Sequence, residues 1–177
     1  MNFWHQKMMY RQKNSGFLLI ELLISITIIS LVVSFGILTV GHFHKALVRA
    51  DVEKLYATCR YLQQCAIVTN QKQILTFDTI RNSYHYHNHE ERLSPYTIFG
   101  IKNSTIKGPP SAPTNSINNP ITFIGKRITF SPTGILQPGT IYVTDKNKQY
   151  QYALTVPVSQ LSFLRKYHYS GSWNYIS

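Results

Sequence analysis

Asn14-Ser15-Gly16-Phe17-Leu18-Leu19-Ile20-Glu21-Leu22-Leu23 is the stretch on which the reading of the whole chain turns. It opens a run of 24 residues, Phe17 to Val40, that is apolar apart from a few hydroxyls, Gly36 and one acid, Glu21. As a helix rising ~1.5 Å per residue, the run reaches ~36 Å and is long enough to cross a bilayer. An ionised carboxylate in such a segment costs ~2.5–3.5 kcal/mol at the bilayer centre, so Glu21 asks for a partner or a purpose. The 16 residues ahead of the run carry Lys7, Arg11 and Lys13 and no acid.

Three readings of this N-terminus compete. A secretory signal has a basic region, an apolar core of ~7–15 residues and small residues at its cut site. Here the core is longer, and Leu38-Thr39-Val40-Gly41-His42-Phe43 offers no Ala-x-Ala pattern. An uncleaved single-pass anchor is the second reading, with its basic side in the cytoplasm. The third puts the cut before the apolar run, at Gly16. Gly16-Phe17-Leu18-Leu19-Ile20-Glu21 closely resembles the type III signal of type IV pilins and type II secretion pseudopilins, with Leu18 where that family more often has Thr. The resemblance implies cleavage after Gly16 by a prepilin peptidase, N-methylation of Phe17, and retention of the helix. Glu21 then becomes the fifth residue of the mature chain and sits beside the terminal amine of a neighbouring subunit. Pairing offsets the cost of placing both charges in hydrocarbon and sets the register of assembly.

The chain has 177 residues and a net charge of +11, of which the leader holds three cations, leaving +8 downstream. Such a balance can favour nucleic acid or anionic lipid. The cations are scattered singly or in pairs, as at Lys126-Arg127 and Arg165-Lys166, which equally describes a generic basic surface. The two cysteines, Cys59 and Cys65, fall in a helical pattern. Six residues apart they point ~120° away from each other with Cα atoms ~9 Å apart along the axis. A disulfide needs less than ~7 Å, so they read as small core residues and not as a bridge.

Val48, Val52, Leu55, Cys59, Leu62 and Ala66 follow steps of four and three, which is one apolar stripe on a helix. Arg49, Asp51, Glu53, Lys54, Arg60, Gln63 and Gln64 lie between them and suit a solvated face. Phe17 to about Asn70 therefore reads as one long helix of ~80 Å. After Gln73 the pattern becomes β. Strands are expected over Ile74–Phe77, Tyr84–His87, Ile121–Ile124, Arg127–Ser131, Thr140–Thr144, Tyr150–Val156 and Ser162–Tyr169. Arg81-Asn82, Pro132-Thr133-Gly134 and Pro138-Gly139 supply turns, and residues 100 to 120, rich in Gly, Pro, Ser and Asn from Gly108 to Asn115, read as a long exposed loop. The organisation is thus a leader (1–16), a membrane and assembly helix (17–40), an amphipathic helix (41–72) and a β-rich domain outside the cytoplasmic membrane (73–177). The fold class is α+β: a long N-terminal helix packed on an antiparallel β-rich domain.

The C-terminal part carries a second resemblance. Ile128-Thr129-Phe130-Ser131-Pro132-Thr133-Gly134 and Pro138-Gly139-Thr140-Ile141-Tyr142-Val143 are similar to the minor pseudopilin H of type II secretion and the FimT/FimU minor pilins. Pro157-Val158-Ser159-Gln160 stands where that family often has a Gly-Arg turn. The resemblance implies a pilin-like fold and a subunit assembled into a type II secretion pseudopilus or type IV pilus. Its implied partners are other pilin or pseudopilin subunits, the prepilin peptidase, an inner-membrane assembly platform and membrane lipid. Its implied location is the inner membrane, single-pass, then the filament. The alternatives are a DNA-uptake minor pilin that binds DNA, or an uncleaved single-pass periplasmic binding or sensor protein.

His85, His87 and His89 alternate with Tyr86 and Asn88, and on one strand they would share a face. Three such imidazoles with Glu90 or Glu91 are a weak metal candidate; a polar strand face reads them equally well. Gly-x-Ser-x-Gly, a phosphate loop and Gly-x-Gly-x-x-Gly do not occur. Only Asp78, Glu90, Glu91 and Asp145 follow residue 72, too few and too scattered for a paired-carboxylate site. No catalytic activity and no cofactor is expected. Tyr and Phe number 21 together, and those of the last strands, with Trp173, read as core or as a contact patch for partner subunits.

Overall fold

The computed structural model describes residues 15–110, 113, 116–158 and 163–176, with side chains from 18 onward except 35–42. One helix, α1 (Ser15–Thr69), is followed by nine strands. These are β1 (Gln73–Asp78), β2 (Ser83–Tyr86), β3 (His89–Arg92), β4 (Thr97–Phe99), β5 (Arg127–Phe130), β6 (Gly139–Asp145), β7 (Gln151–Val156), β8 (Arg165–Tyr169) and β9 (Trp173–Ile176). A 3-10 turn, Ile124–Lys126, precedes β5. The chain divides into two compact units, 1–42 and 43–177.

The first unit is helical from Ser15. Its described side chains, 18–34, are all exposed, and from Leu18 to Val33 the large ones are Leu, Ile and Val. Ser25, Thr27 and Ser34 each turn the hydroxyl back onto a carbonyl of their own helix, at 2.7–2.8 Å. Back-bonding of that kind removes hydroxyl donors from the helix surface and leaves it almost wholly apolar.

The second unit is built on the expected stripe. Val48, Val52, Leu55, Cys59, Leu62 and Ala66 are each at most 2% exposed and join one core with both sheets. The first sheet has the order β3-β2-β1-β5 and the second β4-β6-β7-β8-β9, every pair antiparallel. Leu75, Phe77, Tyr84, Ile128 and Phe130 meet the stripe from the first sheet. Phe99, Ile141, Val143, Tyr152, Leu154 and Val156 belong to the same core from the second. Alternation explains the division of β7: Tyr152, Leu154 and Val156 join the helix-side core, while Ala153 joins a second cluster with Ile106, Ile117, Tyr142 and Tyr167.

That second cluster corrects the expectation of an exposed loop between residues 100 and 120. Ile106 and Ile117 are buried against the far face of the second sheet, Lys107 bridges Ser116, and Trp173 Nε1 donates to the Lys107 carbonyl at 2.8 Å. Gly108 and Pro109 are buried as well. The described residues of the segment cover that face, and β6 and β7 are buried on both faces. Three strands escaped the sequence reading: β3, β4 and β9, each of three or four residues. The strand expected at Ile121–Ile124 is a single bridge from Ile121 to Ile141 followed by the 3-10 turn.

Asp145 shows why the β6–β7 hairpin closes. It is 2% exposed and accepts N–H groups from Asn147, Gln149 and Tyr150 at 2.7–3.1 Å. Three charge-assisted bonds of this kind satisfy the turn's donors. At the start of β6, Gly139 lets Phe123 lie on the strand: a Cβ there would stand 2.5 Å from the Phe123 ring.

Gly139→Ala is therefore expected to lose ~1–3 kcal/mol of stability in urea unfolding, as overpacking of a fixed ring requires. In a Phe123→Ala background the same change is expected to cost less than ~0.5 kcal/mol, within ordinary additivity error. An equal cost in both backgrounds contradicts the contact.

Candidate functional site

Glu21 stands on α1, exposed, and is the one charged residue in the described stretch 18–34. Gly16 and Phe17 belong to the first turn of α1, but their side chains lie outside those described. The expected leader, up to Asn14, lies outside the described residues altogether. Among the described residues no helix is long and apolar enough to cross a membrane. The expected span of 17–40 includes Phe17 and 35–40, whose side chains are outside that set.

The histidine candidate is corrected by the backbone. β2 ends at Tyr86, and His87-Asn88 make a two-residue turn with His87 at φ 49°. His89 then starts β3 opposite Tyr86, and His85 lies opposite Glu90. The three imidazoles belong to two strands and a turn, so the shared face of one continuous strand does not exist. His87 bonds Gln73, and Tyr86 packs its ring against His87, His89 and Tyr61. Among the described residues no group of three His, Cys, Asp or Glu side chains is placed to hold a metal.

The acids of the second unit have structural occupations. Glu53 takes Lys166 Nζ at 2.8 Å and Glu91 takes Lys54 Nζ at 2.6 Å, tying α1 to β8 and β3. Asp51 accepts the Ser94 N–H at 3.0 Å. Asp78 accepts N–H groups from Ile80 and Arg81, and these bonds hold its carboxyl below the usual range. Gln63, buried on α1, donates to the Gly134 carbonyl at 2.8 Å and clamps the turn after β5. Both cysteines are free, and burial pushes the Cys59 thiol up to about 12, which keeps it inert.

A family model described as type II transport protein GspH matches residues 51–161. The chain belongs to the GspH family. No curated protein and no solved structure matches it. The matched span begins inside the buried stripe of α1 and ends beyond β7. It therefore covers the structural heart of the second unit and leaves Gly16 to Glu21 outside.

Sequence reasoning missed one arrangement. His168 on β8 lies opposite Asn174 and packs its ring 4.8 Å from Tyr152, and its Nε2 is buried without a hydrogen-bond partner. Burial first, then Lys45, Lys102 and Arg49, push its pKa below the usual 6.5. The neutral ring is thus the form the fold favours. The unfolded chain takes up a proton near pH ~6.5 and the folded chain only at lower pH, so stability is complete above that value and falls as pH drops through it. Relative to His168→Gln, the native chain is expected to lose urea stability between pH 7.5 and 5.5, readings that bracket ~6.5. A constant difference across that range contradicts the assignment.

Proposed function

We propose that this GspH-family chain is a minor pseudopilin: a subunit cut after Gly16, methylated at Phe17 and packed through its N-terminal helix into a type II secretion pseudopilus or a type IV pilus. Residues 1–16 are the leader, 17–40 the membrane and assembly helix, and 41–72 the amphipathic helix that carries the extracytoplasmic domain 73–177. The observation that carries this reading is the exposed face of the first unit. Leu18, Leu19, Ile20, Leu22, Leu23 and Ile24 are 51–68% exposed around a single carboxylate. Contiguous apolar surface on that scale calls for lipid or partner helices. Glu21 is the one charge in it, and a terminal ammonium on a neighbour's Phe17 is its natural complement.

The hydrophobic gain of moving such a helix from lipid to helix neighbours is small, so register has to come from a polar contact. That is the role assigned to Glu21. The partners are then other pseudopilins, the peptidase, the inner-membrane platform and, before assembly, lipid. The acids of the folded unit are engaged in turns and ion pairs, which suits a structural subunit.

Glu21→Ala and Glu21→Gln, expressed beside native subunits, test the pairing. Incorporation into sheared filaments is expected to fall tenfold or more, equivalent to about 1.4 kcal/mol of lost register energy. Undiminished incorporation of both variants sinks the pairing role.

A further inference from the structure

The two sheets have four edge strands, β3 and β5 in the first, β4 and β9 in the second. An open edge offers a row of backbone N–H and C=O groups to any other strand, and folded proteins blunt it with charge, cover or shortness. β3 is blunted by charge: Glu90 pairs with Arg92 at 3.5 Å and Glu91 with Lys54 at 2.6 Å. β5 is partly covered, because the chain folds back on it. Leu136 bridges Phe130, and the Ser131 N–H donates to the Ile135 carbonyl at 3.2 Å. β4 is three residues long. β9 differs from all of them. Trp173-Asn174-Tyr175-Ile176 carries no charge and no proline, pairs with β8 on one side and, among the described residues, has no strand on the other.

Its side chains suit a further strand. Trp173 and Tyr175 alternate onto the side of Tyr169 and Tyr167, with ring centres 5.3 and 5.9 Å apart. Tyr175 stays 64% exposed despite that contact, so much of its ring is left for another neighbour. The surrounding charge has one sign. From Leu93 onward the sequence holds eight Lys and Arg and one acid, Asp145, which is buried and turned onto three N–H groups. Two of these cations flank β9. The Lys107 carbonyl accepts Trp173 Nε1 at 2.8 Å, which fixes Lys107 at one end. Arg165 precedes Lys166, the residue opposite Ile176, at the other. Both are exposed, and neither enters an ion pair among the described residues.

We propose that β9 is the docking edge for an extended, acidic segment of a partner protein, which adds to the second sheet as its sixth strand. The free backbone groups of β9 supply the hydrogen bonds, Trp173 and Tyr175 take the apolar side chains, and Lys107 and Arg165 meet carboxylates at the two ends. A second copy of this chain is a poor occupant, since its own β9 would bring the same two cations against these.

The full chain in maltoside micelles is titrated with a capped peptide of alternating valine and threonine that ends in aspartates, and separately with a twin that ends in lysines. NMR follows the amides of Trp173 to Ile176. The aspartate peptide is expected to shift them and to slow hydrogen exchange at alternate ones, as a new antiparallel or parallel ladder requires. The lysine twin is expected to bind at least about tenfold more weakly. Tyr175→Glu puts a carboxylate on the open edge and is expected to weaken the aspartate peptide by a similar factor, whereas Tyr175→Phe keeps it. Lys107→Gln/Arg165→Gln is expected to narrow the gap between the two peptides, with near-UV circular dichroism verifying the fold of every variant. The proposal is overturned if neither peptide moves β9, if both bind equally, or if Tyr175→Glu binds like the native chain. Self-association through β9 without peptide, lost in Tyr175→Glu, also overturns it by giving the edge to a second copy. The titration involves neither leader cleavage nor filament assembly, so its failure leaves the pseudopilin reading standing, and failure of the Glu21 test leaves this edge standing.

Discussion

The second unit depends on one constraint: a single stripe of α1 has to be covered by two sheets at once. Leu55, Leu62 and Val48 are among the largest fully buried side chains, and Val52, Cys59 and Ala66 complete the same stripe. Both sheets turn apolar residues to this one helix; the first has four strands, and its edge strand β3 is charged. Leu75 and Phe77 from one side and Leu154 and Val156 from the other share the helix as a common core. Loss of the helix would expose both. The ion pairs Glu53–Lys166 and Lys54–Glu91 and the Asp51–Ser94 contact then fix where along the helix each sheet sits. Such partly exposed pairs add less to stability than to placement.

The far face of the second sheet has the opposite problem, since among the described residues no helix reaches it. The 100–120 segment solves it with two anchors, Ile106 and Ile117, and with Trp173 holding the Lys107 carbonyl. A strand pair buried on both faces follows. With β6 and β7 secured this way, β8 can present a polar row to the helix, and that row carries Lys166, paired with Glu53, and His168, packed on Tyr152.

Much of this was legible in the residues. The six-residue stripe was read correctly because its spacing follows the helical period and its members are apolar. Free cysteines followed from the same geometry. The major strands β1, β5, β6 and β7 were visible from composition and from Pro and Gly turns. The rest was hidden for physical reasons. β3, His-Glu-Glu-Arg, is an edge strand whose side chains face water, so it carries no apolar alternation. The 100–120 cover reads as a loop because its apolar anchors Ile106 and Ile117 stand far apart with no alternation between them. The histidines looked like one strand because His87 takes a left-handed conformation that sequence does not announce, although His and Asn tolerate it better than most. The surroundings of His168 are hidden because Tyr152 and Asn174 come from two other strands, and only pairing brings them to the imidazole.

In the proposed reading one helix serves two environments, an apolar one upstream and a folded domain downstream, which requires that its upstream half survive in the mature molecule with a new amino end at Phe17. Intact-mass and terminal-peptide analysis of the chain recovered from cells that make prepilin peptidase examines this directly. The account predicts a polypeptide that starts at Phe17 and carries one added methyl group on that amine. A product that still starts at Met1, or one truncated beyond Val40, contradicts it.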